Sequence, residues 1–111
     1  MSSKSTFSNS TSESYAVALY ELSKDDLQLE KVEDEINNLK KLINKSFDFK
    51  EMILSPTVTK DEKKNVILAI AKQNNFSEIL KNFLGFVALK NRLFFLERII
   101  NSFLNLLSKN K

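Results

Sequence analysis

The side chains that most often carry catalysis are scarce in this sequence. It contains no histidine and no cysteine, so it lacks the commonest general acid–base, the thiol nucleophile and the commonest metal ligands. Its single glycine cannot supply a phosphate-binding glycine loop. Carboxylates are present, but they fall at the spacing of helix surfaces. The composition therefore predicts a protein that is not an enzyme and has no catalytic, cofactor-binding or metal site.

Apolar side chains show the more informative spacing. Between Phe76 and Arg98, a predicted helix over about 77–90 carries apolar residues on well over half of its circumference, at about 100° per residue. A helix packed against one core needs a narrower stripe. This helix is therefore buried on two sides by its own chain, or buried on one side and offered to a partner on the other. The apolar positions are Ile79, Leu80, Phe83, Leu84, Phe86, Val87, Ala88 and Leu89.

The same predicted helix contains Gly85, the only glycine of the chain. A glycine inside a helix costs roughly 1 kcal/mol relative to alanine. Such a cost is often offset by the close approach of another backbone. A central core helix with a tolerated glycine is the alternative interpretation.

The first predicted helix, about Ser12 to Lys24, repeats this excess of apolar residues. Its main stripe follows the spacing i, i+3, i+4 and i+7 of one helical face. Further apolar residues occupy much of the remaining circumference, and the small Ala16 and Ala18 allow another helix to approach. The stripe consists of Tyr15, Ala18, Leu19 and Leu22.

Four further helices complete the prediction, at about Asp25 to Lys45, Ser46 to Ser55, 60–74 and Arg92 to Lys109. The end signals are a capping box from Thr59 to Glu62, a Ser77 cap, Pro56 after the third helix, and Asn91 as a left-handed stop. Charged residues on the second and fourth helices, Glu35 and Lys63 among them, are interpreted as solvated outer faces.

These patterns predict an all-α fold, a single-domain six-helix bundle over residues 12–110. One glycine and one proline leave little turn chemistry for a fold rich in hairpins. Residues 1–11 are predicted to form a disordered tail rich in serine and threonine. No apolar run is long enough for a membrane span, and the N-terminus lacks an apolar signal core, so neither feature is expected.

The whole chain has a net charge of +3, and its basic residues predominate in the last third. From Lys81 onward, Glu97 is the only acid against Lys81, Lys90, Arg92, Arg98, Lys109 and Lys111. A basic end can contact nucleic acid or acidic lipid, but an ordinary solvated surface is the favoured interpretation. An RNA- or DNA-binding helical bundle is the alternative function, although the basic residues are spread out and no helix-turn-helix signature with a glycine is present.

Three motifs in matching order resemble a known family. Residues 15–22 read YAVALYEL, against the family's Tyr-Ala-x-Ala-Leu-Phe. Leu54-Ser55-Pro56 with Thr59 to Lys63 is similar to Ser-Pro-x-Ile-x-x-x-x-Lys, and residues 82–93, NFLGFVALKNRL, are similar to Asn-Phe-Leu-x-Leu-Leu-x-x-Asn-Gly-Arg-Leu. The chain resembles, over about residues 12–110, the N-terminal domain of the ATP synthase delta subunit, called the oligomycin-sensitivity-conferring protein in mitochondria.

The resemblance implies a six-helix adaptor, or stator, at the top of the catalytic head of ATP synthase. Such a domain is non-catalytic, links the head to the peripheral stalk and supports proton-driven ATP synthesis. The family's first and fifth helices form a groove for the amphipathic N-terminal segment of an alpha subunit. The predicted partner-binding residues are Tyr15, Ala18, Leu19, Leu22, Asn82, Phe83, Phe86 and Val87.

The resemblance also implies where the protein lies and what it does not bind. It implies a peripheral subunit at the cytoplasmic face of the energy-transducing membrane of bacteria, or its mitochondrial or plastid equivalent. It implies no cofactor, no nucleic acid and no direct membrane insertion. The family's C-terminal domain, which contacts the b subunit of the peripheral stalk, has no counterpart in the chain, so stalk binding is not assigned to these residues.

The sequence departs from the family pattern in three places. Glu13 and Ser14 stand where a basic residue and a proline are common, Asn91 replaces the usual glycine, and Gly85 is not typical of its position. One hypothesis is that Gly85 lowers the wall of the groove. Within the fifth helix, we expect Phe86, Asn82 and part of Val87 to face the partner, and we expect a second set to face mainly the core: Ile79, Leu80, Phe83 and Leu84.

Overall fold

Six α-helices and one 3-10 turn make up the part of the chain that the computed structural model describes, residues 3–110, with side chains from residue 10 onward. The helices are α1 (Ser3–Asp25), α2 (Leu29–Lys45), α3 (Phe47–Leu54), α4 (Lys60–Gln73), α5 (Glu78–Leu89) and α6 (Leu96–Lys109), and the 3-10 turn is Leu93–Phe95. This range contains no strand. The predicted all-α fold with six helices is confirmed.

The first helix begins well before its predicted start at Ser12. Residues 1 and 2 of the predicted disordered tail lie outside the described residues, but residues 3–11 are helical. Ser12 is buried, and the hydroxyl of Ser14 donates to the carbonyl of Ser10 at 3.0 Å. Once the packed part of a helix has formed, each added residue gains a hydrogen bond, which offsets the weak helix preference of serine and threonine. The tail prediction is corrected accordingly for residues 3–11.

Three helices end in the same way, with a left-handed residue at the reversal. Leu27, Asn75 and Asn91 have φ angles of 56°, 55° and 59°. At each one, its own N–H and the following N–H donate back into the last turn, as from Asn91 to Ala88 (2.9 Å) and from Arg92 to Val87 (3.0 Å). This is the Schellman motif. The prediction for Asn91 is confirmed, whereas α2 begins at Leu29 and not at Asp25 because α1 continues up to the reversal at Leu27.

The helix starts predicted from the caps at Thr59 and Ser77 are confirmed. The Thr59 hydroxyl accepts from the backbone N–H of Glu62 at 3.1 Å, and the Glu62 carboxylate accepts in return from the N–H of Thr59 at 3.4 Å. The Ser77 hydroxyl accepts from the N–H of Leu80 at 3.4 Å and so caps α5. These side chains satisfy amides that have no partner within the helix. The last helix differs from its prediction because the 3-10 turn precedes it.

The core lies between two long helix pairs. α1 packs along α6, and α4 packs along α5; α1 also contacts α5 and α2. The largest side chains that are fully enclosed include Leu19, Ile36, Leu84, Leu96 and Phe103. Each buried side chain of this size contributes roughly 1.5–3 kcal/mol of transfer free energy. None of the helices within residues 3–110 has both the length and the apolar character required to cross a membrane.

Two charged residues predicted to be solvated are instead buried. Lys63 is 6% exposed, and its ammonium donates to the carbonyl of Ile53 at 2.9 Å, which links α4 to the last turn of α3. Burial lowers the pKa of Lys63. Glu35 is 9% exposed and bonds to Ser77. In both cases a long side chain on one helix reaches the backbone at an end of another helix: Lys63 reaches the C-terminal end of α3, and Glu35 the N-terminal end of α5.

Candidate functional site

An apolar groove of about 420 Å³ lies between α1 and α5. Its residues recur along each helix in steps of three or four, so each helix contributes one face. At a rise of 1.5 Å per residue, the α5 wall is roughly 12 Å long. The lining residues are Tyr15, Ala18 and Leu22 from α1 and Glu78, Ile79, Asn82, Phe83 and Phe86 from α5.

Three aromatic rings join the two walls at one end of the groove. The Tyr15 ring lies 6.4 Å from the Phe83 ring, edge to face at 74°, and 6.2 Å from the Phe86 ring at 57°. Such tilted contacts suit the charge distribution of aromatic rings. Phe83 is 6% exposed whereas Phe86 is 49% exposed. Phe83 therefore anchors the wall from beneath, and Phe86 presents apolar surface to solvent.

The groove leaves apolar side chains in contact with water. Leu22 is 54% exposed, and Phe86 is nearly as open. Ala18 is also exposed, and its short side chain leaves room above α1. Contact of apolar surface with water is unfavourable, and concentrated apolar patches on a folded domain mark interaction surfaces. A second apolar helix face is the kind of surface that would fill this groove.

Most of the predicted partner-binding residues meet in this groove. Tyr15, Ala18, Leu22, Asn82, Phe83 and Phe86 all line it. Leu19 and Val87 do not, because both are completely buried. They share the apolar stripes of α1 and α5, but their positions turn them into the core beneath the groove. They support the two walls without offering surface to a partner.

Two lining residues were not in the predicted set. Ile79 was expected to face mainly the core, yet it is only partly buried and lines the groove, whereas Leu80 and Leu84 are fully buried as expected. Glu78 is the other lining residue outside the predicted set. Residues 78, 82 and 86 lie on one helical face, so this spacing could have identified Glu78 as a lining residue together with Asn82 and Phe86.

Gly85 lies away from the groove. It is buried, its φ is not positive, and a Cβ at this position would lie 3.5 Å from Cδ2 of Leu68 on α4. This is an ordinary van der Waals separation from a side chain and not a close approach of backbones. Both sequence-based hypotheses for Gly85, close backbone approach and a lowered groove wall, are therefore wrong.

The N-terminus of α5 is held by α2. The Glu35 carboxylate accepts from the backbone N–H and from the hydroxyl of Ser77, each at 2.7 Å. A carboxylate at this end also complements the positive end of the helix dipole. Because Ser77 directly precedes Glu78, this contact fixes where the α5 wall of the groove begins.

Charged groups lie at both ends of the α5 wall. At one end the Lys90 ammonium lies 5.5 Å from the centroid of the Phe86 ring. At the other end Glu78 forms an exposed ion pair of 3.8 Å with Lys81. Among the described residues, no group of three or more acidic, histidine or cysteine side chains is placed to hold a metal ion.

A second hollow, of about 400 Å³, differs in its lining. It lies beside the loop between α3 and α4 and includes three polar residues among its walls. Its lining is Leu54, Ser55, Pro56, Val58, Lys63, Asn91 and Phe94. The groove between α1 and α5 is the more uniformly apolar of the two, because six of its eight lining residues are apolar or aromatic.

Comparison with known proteins gives consistent results. The chain is 36% identical over all 111 residues to ATP synthase subunit delta of Rhodospirillum rubrum, and 35% identical over 103 residues to the protein of the same name from Pelagibacter ubique. These matches cover 100% and 93% of this chain but 60% and 56% of the relatives. The chain thus spans little more than half the length of the curated relatives it matches.

A solved structure shares the fold. A chain in the cryo-EM structure of the Polytomella F-ATP synthase, rotary substate 2C, with focussed refinement of the F1 head and rotor, superposes with a TM-score of 0.79. The match covers 90% of this chain and 89% of that one at 23% identity, so it supports the fold alone. The sequence model described as ATP synthase delta (OSCP) subunit matches residues 11–111. With nearly the whole chain matched, this protein belongs to the ATP synthase delta (OSCP) subunit family.

Proposed function

We propose that this chain is a non-catalytic adaptor domain of the F-type ATP synthase. Its groove between α1 and α5 binds the amphipathic N-terminal segment of an alpha subunit and thereby attaches the catalytic head to the stator. Holding the head still while the rotor turns supports proton-driven ATP synthesis. Family membership supports the assembly, and the groove supports the assignment of head binding to these residues.

The single observation that carries the proposal is the exposed apolar surface at the junction of two helices. An amphipathic helix binds by laying its apolar face into such a groove, with anchors spaced by three or four residues. Leu22 and Phe86 flank the groove with about half of their surface exposed. Ala18 lines the α1 wall, where its short side chain leaves room for the backbone of a third helix.

The binding energy is expected to come from a few anchors. Complete burial of a side chain such as Phe86 contributes roughly 1.5–3 kcal/mol. Phe86 is already half covered by Tyr15 and its own helix, so its contribution lies toward the lower end of that range. Aromatic side chains in well-packed, desolvated positions commonly dominate binding energies.

The remaining parts of the proposal concern partners and location. Attachment to the b subunit of the peripheral stalk belongs to the C-terminal domain of the family and is not assigned to these residues. The domain uses no cofactor or metal and does not enter the membrane itself. As a peripheral subunit, it lies at the cytoplasmic face of the bacterial inner membrane or at the equivalent face in an organelle.

Binding of a synthetic peptide tests this proposal. The probe is the N-terminal segment, about two dozen residues long, of the alpha subunit from the same organism, titrated by calorimetry. Phe86→Ala is expected to weaken binding by about tenfold, which corresponds to about 1.4 kcal/mol. The matched control is Phe47→Ala, since Phe47 is 74% exposed on α3 and does not line the groove. Equal effects of Phe86→Ala and Phe47→Ala on affinity would show that the peptide does not bind in the groove.

The alternative function is tested separately. A mobility-shift assay with generic RNA and DNA at low salt would show complexes that dissociate steeply as salt rises if the domain bound nucleic acid backbones. The adaptor proposal expects no shift even at low salt.

A further inference from the structure

The groove has opposite charges at its two ends. Glu78 lines it at the start of α5, and Lys90 caps the end of the same helix. Twelve residues at 1.5 Å each separate these positions by roughly 18 Å along the helix axis. This distance equals about three turns of a bound helix, so a segment in the groove meets both charges.

Lys90 is placed to interact with whatever covers Phe86. Its ammonium already lies over the exposed Phe86 ring at 5.5 Å, a distance at which a cation is attracted to the ring face. A helix that packs on Phe86 removes water from this region and strengthens the local electrostatics. A carboxylate of the bound segment is the complementary group at this end.

Glu78 favours a basic group of the bound segment at the other end of the groove. Its present partner is Lys81 at 3.8 Å, and the Glu78 side chain is 79% exposed. An ion pair this exposed is worth little, so it can be exchanged for a basic group of the bound segment. That group would lie near Ile79 and Leu22, where the apolar lining begins.

We propose that the groove selects a helix with an acidic group at the Lys90 end and a basic group at the Glu78 end, and that this helix runs antiparallel to α5. This inference rests on the proposed function, because it specifies the segment that occupies the groove. The direction follows from the helix dipole: acidic residues favour the first turn of a helix and basic residues the last. The bound segment therefore begins near Lys90 and ends near Glu78.

Paramagnetic labels determine the direction. The alpha-subunit peptide is prepared with a nitroxide on a cysteine added at one end or the other; the domain contains no cysteine that would exchange with it. In the isotope-labelled domain, the label at the peptide N-terminus should broaden the amide signals around Lys90, and the label at the C-terminus those around Glu78. The reverse pattern would overturn the inference while leaving groove binding intact.

Charge reversal tests the proposed recognition. Lys90→Glu should weaken peptide binding about fivefold at low salt, and the difference should shrink at about 1 M salt as the charges are screened. Glu78→Lys should act in the same direction. The control is Lys41→Glu, which makes the same charge change on an exposed position of α2, a helix that does not line the groove. Equal affinities for Lys90→Glu and Lys41→Glu would overturn the charge assignment.

The two proposals fail in different ways. If the unmodified domain binds no alpha-subunit peptide at all, the proposed function fails and this inference falls with it. If the peptide binds with normal affinity to every charge variant, or binds in the opposite direction, the function stands and this inference alone is wrong.

Discussion

The Glu35 carboxylate and the Ser77 N-cap are joined by two hydrogen bonds of 2.7 Å, one from the backbone N–H of Ser77 and one from its hydroxyl. Both residues are nearly buried, at 9% and 8% exposure. Bonds to an ionised acceptor are stronger than those between neutral groups. The pair therefore ties α2 to the N-cap of α5, the helix that forms one groove wall.

Glu35→Gln is expected to lower the free energy of unfolding by about 1–3 kcal/mol. Glutamine has one side-chain oxygen, so it can replace only one of the two acceptors that Ser77 uses. Its NH₂ group faces the other Ser77 donor, and both are left buried without an acceptor. Chemical denaturation with urea measures the change. The control is Asp34→Asn, which removes a charge from an exposed position of the same helix and should alter stability by less than about 0.5 kcal/mol. Equal stabilities of the two variants would show that the hydrogen bonds between Glu35 and Ser77 do not stabilise the fold.

Gly85→Ala is expected to raise the free energy of unfolding by about 0.5–1 kcal/mol, because alanine has the better helix propensity. The added methyl group has room, since it meets Leu68 at 3.5 Å. Peptide binding should stay unchanged because this position faces α4. Thermal or urea unfolding measures the effect, and Gly85→Val provides the contrast, since β-branched valine has a lower helix propensity than alanine. A loss of stability in the alanine variant would contradict the packing described.

Leu27→Gly is expected to stabilise the fold by about 1 kcal/mol, because the left-handed conformation strains a side chain with a Cβ and suits glycine. Leu27 has a φ of 56° and is 93% exposed, so little packing is lost on its removal. Leu27→Ala keeps the strain and should leave stability nearly unchanged. If glycine and alanine have the same effect in urea denaturation, the left-handed reversal carries no measurable strain.

Local signals in the sequence predicted much of this fold, because the groups that decide them lie within a few residues of each other. The Thr59 capping box, the Ser77 cap and the reversal at Asn91 all follow from such local chemistry. The reversal at Leu27 could not be predicted, since leucine seldom adopts that conformation. Burial of Glu35 and Lys63 depends on partners in other helices, which a helix-surface pattern does not reveal.

The groove was predictable in outline and less so in detail. The excess of apolar residues on α1 and α5 indicated that both helices face two directions, and the family motif identified Tyr15, Ala18 and Phe86 correctly as lining residues. Leu19 and Val87 could not be separated from them, because a rotation of a few tens of degrees about the helix axis decides which neighbours enter the core. That rotation is set by packing against α6 and α4.

Ala18→Asp provides the sharpest test of the proposal that an alpha-subunit segment docks between α1 and α5. Ala18 is exposed and lines the α1 wall of the groove. The change therefore introduces a charge where an apolar helix face must pack, and burying an unpaired charge is strongly unfavourable. Ala69→Asp makes the same change at an exposed position of α4, which does not line the groove. In calorimetry with the alpha-subunit N-terminal peptide, Ala18→Asp should abolish binding while its far-ultraviolet circular dichroism stays unchanged, and Ala69→Asp should bind normally. Normal binding by Ala18→Asp would show that the alpha-subunit segment does not dock in this groove.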